Sequence, residues 1–98
     1  MHIKVILTKH LIYRFNERVS NTDFSPEKTI ETMNEYFKKG VLVMNDRGEC
    51  RGRIFFEGQT FALGIHLENQ TMFTASTIMS SLNPRIKGKK VIITYVMK

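Results

Sequence analysis

The sequence predicts an α+β domain in which two N-terminal helices pack on a mostly antiparallel β-sheet. Three observations predict it. Apolar residues recur at spacings of three and four as far as about residue 39, and alternate in steps of two beyond it. Turn-forming pairs divide the second half into segments of hairpin length. A chain of 98 residues leaves room for one domain, 1–98, with one modest core.

HIKVIL is rich in β-branched residues and predicts a first short strand. Thr8 stands where a capping hydroxyl opens a helix, expected over Lys9 to Val19. Leu11, Ile12, Phe15 and Val19 share one arc of about 100° and form its buried face. SNTDFSPE breaks the chain. Ser25 followed by Pro26 marks a second start, because the missing N–H of proline is harmless in a first turn. That helix is expected to run to about Lys39, with Ile30, Met33, Tyr36 and Phe37 as its apolar stripe. Gly40 is its expected stop, and Lys38 and Lys39 sit where positive charge favours a helix end.

VLVM is then a short strand, NDRG a turn and ECRGRIFFE a strand. Gly58-Gln59 turns the chain into TFALGIHLE. Phe61, Leu63, Ile65 and Leu67 face one way there, while Thr60, Ala62, Gly64, His66 and Glu68 face the other. Asn69-Gln70 turns again into the strand TMFTAST. IMSSLNPRIKGK reads as irregular or as a short helical turn, and KVIITYV as a closing strand. Hairpin connections make the sheet mostly antiparallel.

A hydrophobic fraction of 42% with 24% charged residues fits an ordinary soluble globule rather than a disordered or membrane-spanning chain. MHIKVILTKH is too short and too charged for a secretory signal. The single cysteine, Cys50, excludes an internal disulfide framework, and a reducing, cytoplasmic setting follows as the expectation. His2, His10 and His66 lack the spacing of a zinc site, and no glycine run matches a phosphate loop, so no metal and no cofactor is expected. Fifteen Lys and Arg against nine Asp and Glu give a net charge of +6, which favours RNA or another polyanion as partner.

The polar face of the first helix carries the densest chemistry. His10, Arg14, Glu17 and Arg18 fall together opposite the apolar arc, with Tyr13 at its edge. Such a group suits phosphodiester cleavage without metal. Histidine serves as base or acid near neutrality, and the arginine fork matches phosphate. Glutamate orients an arginine or acts as base. The competing reading is a solvated helix face with mildly stabilising charges.

TKHLIYRFNER resembles the first-helix motif of the small, uncharacterised RelE-related domains, T-x-H, three residues, R, two residues, E-R. Thr8, His10, Arg14, Glu17 and Arg18 match it. The resemblance spans about residues 8–77. It implies a RelE-like architecture within a wider group of metal-independent ribonuclease folds, which includes RelE-type toxins and some colicin-like tRNA nucleases. In that group a late threonine or serine joins the site, and FTAST offers Thr74 and Ser76. The resemblance thus implies His10, Arg14, Glu17 and Thr74 as catalytic residues. The chain departs from the pattern in its first strand and in its lysine-rich end, KGKKVIITYVMK.

Arg18, Arg47, Arg51, Arg53, His66, Lys87, Lys89 and Lys90 are the candidate nucleic-acid contacts. Arg51 and Arg53 lie two apart and share a strand face. His66 follows two small residues, Ala62 and Gly64, on its face, which leave room either for a ligand or for a closely packed helix. The expected function is that of a metal-independent endoribonuclease-like or RNA-binding protein. The alternative is a small basic regulator of the phage or mobile-element type, without enzymatic activity, that binds a host protein or nucleic acid.

Overall fold

A computed structural model describes residues 1–45, 50–81 and 87–98. Its six strands are β1 (His2–Leu7), β2 (Lys39–Met44), β3 (Arg51–Phe55), β4 (Phe61–Asn69), β5 (Met72–Ser80) and β6 (Lys89–Met97). They do not form an open sheet under two helices. They close into a barrel in the order β1-β5-β4-β3-β2-β6, which overturns the expected two-helices-on-a-sheet, RelE-like architecture.

The hairpins β2–β3, β3–β4 and β4–β5 are antiparallel as expected. The departure lies in β1, which pairs in parallel with β5 on one side and with β6 on the other. An antiparallel ladder from Lys39↔Ile92 to Leu42↔Lys89 then joins β6 to β2 and closes the ring. Ile3, Val5, Leu7, Leu42, Ile54, Leu63, Ile65, Phe73, Ala75, Val91, Ile93 and Tyr95 are buried in the core. A closed barrel and a half-covered sheet demand the same alternation along each strand.

The helices serve one end of the barrel. Thr8 caps α1 (Lys9–Phe15), its hydroxyl accepting from the Leu11 N–H at 3.2 Å. The expected continuation to Val19 is instead a π-helical turn, Asn16–Ser20, that ends at Asn21 in the left-handed region (φ 49°). Asn16 is buried, and its amide donates to Phe24 O at 3.1 Å and to the Thr29 hydroxyl at 3.0 Å. This network ties the turn to α2 (Pro26–Tyr36), which Ser25 caps as expected. Phe15, carried by α1, meets Phe37 and Phe61 edge-on at ring-centroid distances of 5.7 and 5.9 Å. Phe56 completes the cluster at 5.6 Å from Phe37 and 5.3 Å from Phe61. Phe61 begins β4 and Phe56 follows β3, so these rings fill one end of the barrel.

The second helix stops at Tyr36, which is 70% exposed rather than part of a buried stripe. Gly40 is no helix stop. It lies in β2, where a Cβ would stand 2.8 Å from Ile54 Cγ2 and 3.0 Å from the Phe55 carbonyl. Close strand approach, not helix termination, explains that glycine. The ladder of β6 to β2 ends at Ile92, which leaves the Tyr95 peptide groups without a strand partner on that side. Asn34 of α2 replaces one: its Oδ1 accepts from Tyr95 N–H at 2.7 Å and its Nδ2 donates to Tyr95 O at 3.0 Å. The Tyr95 hydroxyl donates to Phe37 O at 2.6 Å, and burial pushes its pKa well above that of an ordinary phenol.

Gly58, in the left-handed region (φ 73°), turns β3 into β4 as expected. Most of the expected NDRG turn, and residues 82–86 of the segment expected to be irregular, lie outside the described residues. IMS, the start of that segment, belongs to β5, which runs on past a bulge to Ser80.

Candidate functional site

Two register shifts between β4 and β5 shape the barrel wall. The ladder passes from Gly64↔Thr77 to Ile65↔Ala75, so Ser76 is the extra residue. It passes again from Leu67↔Phe73 to Asn69↔Met72, so Glu68 is extra on the opposite strand. Bulges of this kind re-aim side chains. The Ser76 hydroxyl donates to Gly64 O at 3.1 Å, and Ser76 lines an open hollow of about 800 Å³ with Cys50, Arg51 and His66.

The wall beside that hollow is an ordered polar row. Arg51, His66 and Thr74 are direct register partners across β3, β4 and β5. The Arg51 carbonyl accepts from Asn45 N–H on the β2 side, while the Leu67 N–H binds the Cys50 carbonyl. Arg51 and His66 therefore form the non-hydrogen-bonded type of pair, in which facing side chains stand closest. The Glu68 carboxylate joins the row's other members. Its Oε1 accepts from the Thr74 hydroxyl at 2.7 Å and lies 3.0 Å from His66 Nε2. These bonds favour the ionised carboxylate: the Thr74 hydroxyl first, then the charge and hydrogen bond of His66, hold its pKa below the ordinary value. In the neutral ring, with Nε2–H donating to Glu68, the second nitrogen, Nδ1, is the acceptor.

Arg51 and Arg53 are both exposed, and neither has a carboxylate partner among the described residues. Arg53 faces Gly64 across the ladder. A Cβ at Gly64 would stand 2.6 Å from Thr77 Cγ2 and 3.1 Å from Met79 Cε. The small residue therefore admits β5 side chains rather than a ligand or a helix.

The helix motif does not join this group. His10 is exposed and makes no hydrogen bond or ion pair among the described residues. Arg14 pairs with Glu17 at 3.6 Å in solvent. Glu17 lines a separate groove with Tyr13, Asp23 and Phe24, and Arg18 donates to Ile78 O at 3.3 Å beside another hollow. No hydrogen bond or ion pair connects His10, Arg14 or Glu17 to Thr74; that threonine is committed to Glu68.

Lys87, Lys89 and Lys90 are exposed around the start of β6, where Lys89 edges an apolar mouth with Met1, Leu42 and Phe73. Arg47 lies outside the described residues. Glu68 is the member that sequence reasoning did not single out. Its signal was its place two residues after His66 on one strand face. Among the described residues no group of three His, Cys, Asp or Glu side chains is placed to hold a metal ion. None of the described helices is long and apolar enough to cross a membrane.

No family model, curated protein or solved structure matches the chain.

Proposed function

We propose that this is an RNA-binding protein that takes the phosphate backbone on the barrel wall at Arg51, Arg53 and His66, in a cytoplasmic setting where Cys50 stays reduced. The observation that carries the reading is that Arg51 and His66, facing partners across β3 and β4, line one open hollow. Guanidinium groups without a carboxylate partner are available to phosphate oxygens. The net charge of +6 supplies the long-range attraction. The resemblance of Thr8–Arg18 to RelE-related domains supports the same class of partner.

Cys50, exposed and lining that hollow, reports on its occupation. Single-stranded RNA at low salt is expected to slow alkylation of Cys50, and a bulky maleimide adduct there is expected to weaken RNA binding. Affinity should fall with salt, as it does wherever phosphate contacts release counterions. Alkylation at an unchanged rate under saturating RNA places the RNA elsewhere. No binding of RNA at low salt removes the reading and leaves the small basic regulator of a host protein.

A further inference from the structure

We propose that His66 is a general base for RNA cleavage through the 2′-hydroxyl, with Glu68 as the positioning residue that aims it. The inference rests on the barrel wall being the RNA-binding face, and it adds chemistry to that face.

The arrangement has the parts that such a step requires, supplied by three adjacent strands. The His66 Nε2–H is held on Glu68 Oε1 at 3.0 Å, which fixes the tautomer and leaves Nδ1 with its lone pair. Nδ1 makes no hydrogen bond among the described residues. Glu68 is itself held by the Thr74 hydroxyl at 2.7 Å on the same oxygen, so the carboxylate is braced from β5 while it aims a ring on β4. A base oriented by a third group in this way is the general form of an activated acid–base pair. Arg51 stands directly across from His66 and lines the same hollow, where it meets charge that develops on the phosphorane.

The step balances without a co-reactant. The 2′-hydroxyl proton passes to His66 Nδ1 as the O2′–P bond forms and the P–O5′ bond breaks. The departing 5′-oxygen takes a proton from water, and the imidazolium returns its proton to solvent. The products are a 2′,3′-cyclic phosphate and a free 5′-hydroxyl.

The test uses the full chain and a short fluorescent single-stranded RNA in EDTA, with binding and cleavage measured on the same samples. Cleavage is expected, with cyclic-phosphate ends and none at a 2′-deoxy position. His66→Gln is expected to lower the rate at saturating RNA by about 10²-fold or more, the usual scale for a positioned acid–base group, while the variant still folds and still binds RNA, more weakly, through Arg51 and Arg53. Glu68→Gln separates positioning from folding: kcat should fall about tenfold, while affinity holds or tightens because a negative charge has left the phosphate's path. His10→Gln should cleave at the wild-type rate. RNA that is bound but left intact overturns the catalytic inference and leaves the binding reading standing, whereas RNA that is never bound removes the binding reading itself. Full activity in His66→Gln, or lost activity in His10→Gln, returns the chemistry to the helix.

Discussion

Two histidines on one chain show how a fold assigns different prospects to the same side chain. His10 sits on a short exposed helix, with Arg14 and Glu17 paired to each other in solvent at 3.6 Å. His66 sits on a barrel strand with register partners on both sides and a carboxylate at 3.0 Å. A long side chain on a solvated helix face chooses among rotamers. One placed between neighbouring strands and hydrogen-bonded to a braced carboxylate has fewer to choose from, and preorganisation of this kind is what acid–base chemistry needs. The helix offers the denser cluster in sequence, and the wall offers the better-held cluster in space.

The largest contrast lies within α1 itself, whose two faces do different work. Phe15 is buried among Phe37 and Phe61, whereas Tyr13, two residues earlier, is 64% exposed. Phe15→Ala is expected to cost about 3–5 kcal/mol of unfolding free energy, the range for emptying an aromatic site. Tyr13→Ala should stay within about 0.5 kcal/mol. Denaturant titration of the two variants checks this. Similar losses would mean that the exposed face carries structure after all, and would blur the distinction between helix and wall.

The closing of the barrel was not legible in the sequence, for a physical reason. Val5 and Leu7 show that β1 has one buried face, but nothing local says that its partners on both sides are parallel strands, β5 and β6, far along the chain. Parallel partners need no hairpin and leave no turn signal. The cap residues Thr8 and Ser25 were legible, because capping is local chemistry. The alternation of Phe61, Leu63 and Ile65 was legible too, as inward-facing positions. His66 and Glu68 were legible as neighbours on one strand face, but the partnership of Glu68 with Thr74 was not, because it depends on a bulge and a register that only the folded ladder sets.

A second test concerns how the helix layer is attached to the barrel. Asn34 satisfies both peptide groups of Tyr95 where the β2 ladder has ended. Asn34→Ala leaves a backbone donor and an acceptor part-buried without partners, which should cost about 1–3 kcal/mol. Glu35→Ala, next to it and exposed, should be near neutral. A neutral Asn34→Ala would show that α2 is held by apolar packing alone.

Reversing charge compares the two polar faces as RNA surfaces. Arg51→Glu with Arg53→Glu should lower RNA affinity about tenfold or more and flatten its dependence on salt. Removing two phosphate contacts changes the log–log slope by about 1.4 for a single strand. Arg14→Glu should change affinity by less than about threefold, an effect of net charge alone. Equal losses from both faces would make the attraction a property of the whole basic molecule rather than of the wall.

The smallest expected effect is also the most local. Thr74 and His66 stabilise the ionised form of Glu68, so its folded-state pKa lies below the ordinary 4.5. A carboxyl depressed by folding contributes stability that is present above its unfolded pKa and is lost as pH falls through the folded one. Wild-type protein should therefore lose stability relative to Glu68→Gln as pH falls from about 6 to about 3. Glu68 is solvent-exposed, so the loss is small and is best read as a difference in denaturation midpoint between the two proteins across that range. Thr74→Val removes the largest cause of the shift while keeping the shape of the side chain, and should flatten most of the same difference. His66→Gln, which removes the lesser causes, should flatten less of it. If Thr74→Val keeps the full acid-dependent loss, the carboxylate is not braced from β5, and the ring it holds is no better aimed than His10 on its helix.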